Sequence, residues 1–415
     1  MMNSKIGNSY PAPVVEMQRK PQAGAKRRYE GAADGRRASS WLSNGNPSVN
    51  LLIAKDLLKL VQRSRELAIN NPYAKKAPYI IANNLVGTGI LLTPTIADKI
   101  ENGTVKKFPG AAKLQKTIAA AWKDWAEKLS ADYNGDFTFY GLQHLAVRTK
   151  VISGEVLAVR RYVEEDVNKY GFQVLILEGD FIDQSKDTTK DKDGGYTFKG
   201  VKYSKDGKRS GYWLFDRHPS EGNAKSTFYQ MKDVIHLYEV ERPGQSRGVP
   251  DAAPTMTTQR DFADYMDAEL IAKKGAACFS AIVSKAEPPE TDPTQDLNNQ
   301  LEELQPGTIQ YLAPGETIHF PTLPQNPGLT DFVKVQLRAI AAGYLMPYEN
   351  LTGDLSNVTF ISGRLGQLDF KKQVEYWQHV SFIPKFCERV FQWFVYGAKI
   401  ALNLPEDVQV VGSWT

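Results

Sequence analysis

Arg242-Pro243-Gly244-Gln245-Ser246-Arg247-Gly248-Val249-Pro250 divides the chain into two kinds of pattern. Before it, apolar residues come in short runs: Val156 to Val163, Gln173 to Leu177, Tyr212 to Phe215 and Val234 to Leu237. Asp-Gly and Gly-Gly pairs separate them, which predicts strands and turns. After it, Pro254 suits the first turn of a helix predicted to about Phe279, with Phe262, Met266 and Leu270 on one stripe. The glycines between read as a hinge before that helix, and the fold class is α+β.

Working outward, the Lys-, Asp- and Gly-rich insert Ser185 to Arg209 predicts a solvent-facing loop or hairpin. Leu51, Leu52, Lys55, Leu58, Val61 and Arg65 recur at helical spacing until Asn70-Asn71-Pro72, and a second helix runs to Asn83. Val86-Gly87-Thr88-Gly89 opens an extended segment toward Pro94. Ile118, Trp122, Trp125, Ala126 and Leu129 mark a helix whose tryptophans read as core anchors. Downstream, Pro-rich connections bracket a short helix near Asp296 to Leu304. A helix starts at Thr330 and ends near Met346, because Pro347 disfavours helical geometry in its predecessor. A final helix starts near Ser362, and Pro384 is expected to break or kink it.

With 415 residues, about 150 residues per domain implies roughly three packed units or one elongated multi-part subunit. Apolar residues at 42% and charged residues at 24% argue against global disorder. Val390 to Leu404 is interrupted by Gln392 and Lys399 and falls short of the ~20 residues that span a bilayer. Cys278 and Cys387 give no disulfide framework, and Met1 to Gln22 lacks the apolar core of a secretory signal. A reducing, intracellular site of folding follows as an expectation. The first 40 residues carry eight basic side chains against three acidic ones, a partly disordered basic arm, while the net charge of the whole is only +4.

Chemical motifs fail on inspection. Gly244-Gln245-Ser246-Arg247-Gly248 matches the pattern of a serine nucleophile elbow, but Pro250 withholds the immediate helix start that an elbow needs, and no His-Gly-Gly loop occurs. Gly207-Lys208-Arg209-Ser210 lacks the upstream glycine and the hydroxyl of a phosphate-binding loop. Asp191, Asp193 and Gly194 have calcium-loop spacing, yet Thr189 and Gly200 stand at its first and last ligand positions. The histidines, His144, His218, His236, His319 and His379, are scattered and without zinc-ligand spacing. No catalytic, metal or cofactor residues are expected.

Several segments together resemble the lambda-type family of phage portal proteins. They are Arg28-Tyr29-Glu30-Gly31-Ala32 with Arg36, Arg37 and Trp41; Arg63-Ser64-Arg65-Glu66-Leu67; Asn84-Leu85-Val86-Gly87-Thr88-Gly89; and Gly154-Glu155. The most specific signal pairs Asp233-Val234-Ile235-His236-Leu237 with Arg242 to Pro250. Arg338 to Gly343, Tyr348-Glu349-Asn350-Leu351 and Gly353-Asp354-Leu355-Ser356 resemble a second diagnostic block. Thr359-Phe360-Ile361-Ser362-Gly363-Arg364 departs from the family's Asn-Tyr-Ser-Ser-x-Arg run, and the sequence stops at Thr415, where relatives continue.

The resemblance implies a portal fold assembling as a ring. Its parts would be a basic arm (1–50), an α/β wing (51–250), a stem helix (251–283), a small clip (284–327), a second stem helix (328–346), a tunnel loop (347–360), and a long final helix leading into a truncated crown (361–415). It implies a dodecamer of head-to-tail subunits at the capsid vertex, a channel for packaging and ejection of double-stranded DNA. The expected partners are terminase large subunit, head-tail adaptor, major capsid and scaffolding proteins, with assembly in the bacterial cytoplasm and residence in the virion. Gly244, Gln245, Arg247, Gly248 and Pro250 would form the hinge before the stem. Tyr348, Glu349, Asn350, Thr352, Asp354, Ser356, Asn357 and Thr359 would line the channel. No Lys or Arg lies between Arg338 and Arg364, as suits a conduit: DNA carries one charge per ~1.7 Å of axis, and a lysine-lined bore would grip it. The competing readings are a serine hydrolase using Ser246 and a monomeric basic DNA-binding module.

Overall fold

The computed structural model describes residues 47–101, 104–278, 282–285, 316–319, 328–356 and 358–415. The predicted basic arm and most of the clip, with its helix near Asp296 to Leu304, lie outside the described residues. The chain opens with two helices, α1 (Val49–Asn70) and α2 (Pro72–Leu85). Asn71 alone joins them: its side chain accepts from the amides of Tyr73 and Ala74 at 3.0 and 3.1 Å, and Pro72 takes the first helical position. The same Asn-Pro that ends one helix therefore starts the next.

Three short strands, β1 (Leu92–Ile96), β2 (Lys99–Glu101) and β3 (Thr104–Lys106), lead to α3 (Ala111–Ala126) and α4 (Phe139–Ser153). Trp122 and Trp125 of α3 are buried as expected. Trp122 meets Phe139, Phe391 and Phe394 edge-on at 5.1 to 5.3 Å between ring centres, and Trp125 stacks on Phe172 at 5.0 Å. Edge-on and offset contacts of this kind add to the area that aromatic rings bury. Helix α4 is obscured in the sequence because its buried face, with Phe139, Leu142, Ala146, Val147 and Val151, also holds the polar Gln143, while Leu145 and Ile152 lie off that face and weaken the contrast. Its ends were legible, with Thr138 as cap and Gly154 in the left-handed region at φ 84°.

Two antiparallel sheets follow. One has the order β10–β4–β5, built from β4 (Glu155–Tyr162), β5 (Phe172–Glu178) and β10 (Val234–Tyr238). The other runs β6–β7–β8–β9: β6 (Tyr196–Phe198), β7 (Val201–Tyr203), β8 (Arg209–Phe215) and β9 (Ser226–Gln230). Strand β4 is buried on both faces: Val156 and Ala158 join the core shared with the helices, while Leu157 and Val159 pack on Val201, Tyr212 and Leu214 of the second sheet. Alternating side chains of one strand thus serve two cores. The insert 185–209 is more ordered than a loop, since β6 and β7 form a hairpin within the second sheet. Lys202 pairs there with Asp193 at 2.7 Å and the Thr197 hydroxyl donates to Asp191 at 2.9 Å.

Beyond the dividing segment come α5 (Met256–Cys278), the paired strands β11 (Ile282–Lys285) and β12 (Glu316–His319), α6 (Leu329–Gly343), α7 (Tyr348–Thr352) and α8 (Phe360–Tyr376). Pro384 neither breaks nor ends the last helical run. Residues Trp377–Cys387 widen into a π-helix, which continues as α9 (Glu388–Ala401). The wider turn relieves the clash between a proline ring and the preceding turn's carbonyl, and it accommodates the missing donor.

The final helical run ends at Ala401, short of Thr415. The chain leaves α9 through Asn403, at φ 49°, and Val410–Trp414 forms β13, antiparallel to β1. The alternation of Val410, Gly412 and Trp414 toward the core decides this, because Trp414 packs against Trp122 and Phe391 and donates to Glu388 Oε2 at 3.0 Å.

Candidate functional site

The dividing segment folds into a buried clasp. Gln245 organises the turn: its Oε1 accepts from the amides of Glu241 and Arg242, and its Nε2 donates to the carbonyls of Glu239 and Arg247 at 3.2 and 2.8 Å. Its own carbonyl accepts from Tyr238 Oη at 2.7 Å and from Arg209 at 2.6 Å. Gly244 takes φ 80°, a conformation open to glycine at little cost.

Arg247 turns inward onto Glu155 at the start of β4. Its Nε lies 2.8 and 3.0 Å from the two carboxylate oxygens, its Nη2 also donates to Glu155 Oε1, and the same Nη2 donates to the Gly179 carbonyl at 3.1 Å. The carboxylate further accepts from the Gly248 amide at 2.8 Å and meets His236 Nε2 at 3.0 Å. Burial alone would raise the Glu155 carboxyl, but the Arg247 guanidinium and the His236 ring hold it well below the usual carboxylate range. Burial pushes His236 down, so its ring is neutral at pH 7.

Two glycines allow this closeness. A side chain on Gly154 would meet the backbone of Val249 at 2.4 Å, and one on Gly248 would meet the Gly154 carbonyl at 2.1 Å. Helix α1 is tied in as well. Asn50 Nδ2 donates to the Gly244 carbonyl, and its Oδ1 accepts from both the amide and the hydroxyl of Ser246 at 2.8 and 2.9 Å. The Ser246 hydroxyl is therefore bonded to an asparagine, not to a histidine base, and the nucleophile arrangement is not formed. After Pro250, the Asp251 amide donates to the Val151 carbonyl, and its carboxylate pairs with Lys150 at 3.0 Å. Gly154-Glu155 and the paired segments Asp233 to Leu237 and Arg242 to Pro250 are one contact network. Asn50, Tyr238 and Arg209 complete it, and no spacing in the sequence pointed to them.

The second predicted site is less open than a loop. Residues Tyr348–Thr352 are helical, Gly353 ends the turn at φ 81°, and Leu351 is buried. Asp354 then gathers its neighbours, accepting from Tyr348 Oη at 3.0 Å and from the amide and hydroxyl of Ser356 at 3.0 and 2.6 Å. Those Ser356 bonds lower the Asp354 carboxyl. Thr352 accepts from the Asp354 amide, Asn350 accepts from Gln367 Nε2 at 2.7 Å, and Thr359 caps α8 in a reciprocal box with Ser362. Glu349 is half-buried and Asn357 lies outside the described residues.

Among the described residues, Glu178, Asp180 and His218 form the cluster nearest to a metal-ligand set. Arg65 already pairs with both of its carboxylates and offsets one of their two charges.

Three comparisons bear on this arrangement. The family model described as phage portal protein, lambda family, matches residues 34–378. A probable portal protein of Halomonas phage phiHAP-1 is 26% identical over 381 residues, which are 88% of this chain and 71% of that protein. In the neck of a native gene transfer agent particle computed with C12 symmetry, a chain aligns over 86% of this chain and 84% of its own length, with a TM-score of 0.50 at 11% identity. An HK97 family phage portal protein from Corynebacterium diphtheriae aligns over 84% and 95% of the two chains, with a TM-score of 0.38 at 8% identity.

Proposed function

The chain belongs to the lambda family of phage portal proteins, and from that premise we propose that its copies close head to tail into a ring of twelve whose bore carries double-stranded DNA into and out of the capsid. The observation that carries this is the apolar surface one subunit leaves uncovered. The stripe on α5 begins buried at Phe262 and emerges into solvent at Met266 and Leu270. On α6, Phe332 and Val335 are exposed, and on α8 Ile361, Leu365 and Leu368 line one face, 72%, 59% and 47% exposed. Rows of large apolar side chains left in solvent on successive helices are the kind of surface that another copy covers. Tyr265 and Phe332 pack at 4.8 Å between ring centres, and Gly343 lets α6 lie against Thr255, so α5 and α6 are paired as a stem would be.

Closure of identical copies requires each to present two different, complementary faces. Twelvefold symmetry is a property of the gene transfer agent neck, and for this chain it belongs to the proposal. The polar segment 347–360 is the channel lining: its hydroxyls, amides and carboxylates offer DNA nothing to hold it, in keeping with sliding. Terminase and the head-tail adaptor dock on 284–327, while capsid and scaffolding proteins meet the outside of the ring. Negative-stain imaging and mass measurement of the purified chain test this. Rings with an axial hole are expected, and a monomer persisting at all concentrations and salt conditions overturns the reading.

A further inference from the structure

Beside the free edge of β10 lies a half-enclosed cavity of about 300 Å³, lined among others by Arg209, His236, Tyr238, Lys385 and Arg389. Its charge is one-sided. Arg209 is spent on the Gln245 carbonyl and the Tyr238 hydroxyl, Arg389 donates to the carbonyls of Met231 and Val234 at 2.7 and 3.4 Å, and Lys385 approaches the Tyr238 carbonyl at 3.4 Å. Among the described residues none of the three pairs with a carboxylate. Glu239 and Asp233 act on Lys385 and Arg389 only at longer range. Three half-buried cations facing one space without a counter-anion are costly to desolvate.

The fold goes out of its way to gather them. Lys385 and Arg389 come from the π-helical segment and the helix that continues it, and such widened turns recur at functional sites. His236 forms part of the cavity wall, but its ring is fully buried with Nε2 bound to Glu155, so the cations are the groups that a ligand would meet.

We propose that this cavity is a binding site for a phosphate group, as the free ion or as the terminal phosphate of a small molecule. Two guanidinium groups and one ammonium supply the donors that phosphate oxygens take. The cavity is too small to admit a duplex, so the backbone of passing DNA is not the occupant. One chain forms the site completely, so it stands whether or not rings assemble.

Calorimetric titration of the full chain with inorganic phosphate, at ionic strength held constant with chloride, tests it. Saturable binding is expected, weakened at least tenfold in Lys385→Gln and retained in Lys385→Arg. Lys385 makes only the long contact to Tyr238, so an unchanged circular dichroism spectrum and melting temperature without phosphate are expected for both variants. A mononucleotide monophosphate should compete and a short DNA duplex should not. No saturable heat, equal binding by Lys385→Gln, or competition by the duplex overturns the assignment, as does a ring structure in which an acidic side chain of a second copy fills the cavity.

Discussion

The clasp around Glu155 and the face of α8 are built on opposite rules. In the clasp, Arg247, His236, the Gly248 amide and Asn50 satisfy one another inside a single subunit, and Gly154 and Gly248 exist to let backbones touch. On α8, Ile361, Leu365 and Leu368 are left largely uncovered by the described residues. The difference teaches where the molecule is finished and where it is not. The junction between the sheet and the helices after Pro250 is closed within one chain, and the helices beyond it carry the uncovered apolar surface on which the proposed ring rests.

The contrast breaks most readily at Arg247. Arg247→Ala leaves the Glu155 carboxylate buried and short of its main counter-charge, and a loss of about 3–5 kcal/mol is expected in urea unfolding. A loss below about 1 kcal/mol would mean that the clasp does not anchor the junction. Paired substitution of Leu365→Glu and Leu368→Glu should behave the opposite way. The unfolding free energy of the subunit should stay within about 0.5 kcal/mol, as for other surface positions, while mass photometry finds no rings. If that variant unfolds instead, α8 is part of an internal core and the contrast fails.

Acid sharpens the comparison next. His236 is depressed, so the folded form resists a proton that the unfolded chain accepts below about pH 6.5, and stability falls from there downward. Glu155 is also depressed, so its contribution is intact above about pH 4.3 and is lost as the pH falls further toward its folded value. Melting temperature against pH should show both segments in the native chain, and His236→Asn should flatten the upper one. The smallest effect belongs to Ser356→Ala: it removes the hydroxyl bond to Asp354 but keeps the amide bond, and the same unfolding curves should show almost no shift of the midpoint.

Much of the layout was legible. Asn70-Asn71-Pro72, the Trp122 and Trp125 pair, the Pro254 start and the Pro347 stop each act locally, and the elements fall where they indicate. What stayed hidden depends on distant partners. Helix α4 is apolar on several sides because it sits between other elements, and β13 went unread because its strand partner β1 lies far away in the sequence and its Trp414 packs on Trp122. For the clasp, the sequence supplied Gly154-Glu155, His236 and Arg247 as separate marks, but not that one carboxylate joins them. Asn50 was unreadable because an asparagine at a helix start ordinarily signals only a cap. The residues proposed to line a channel were legible as polar, while the hydrogen bonds that Asp354 makes with Tyr348 and Ser356 were not.

The pairing of Leu92–Ile96 with Val410–Trp414 joins positions more than 300 residues apart. During synthesis the indole of Trp122 waits for one of its covering rings until the ribosome has made residue 414, and contacts separated so widely in sequence form slowly. The nascent chain therefore carries an unfinished aromatic core through most of its translation, a built-in delay before any subunit is complete enough to meet another.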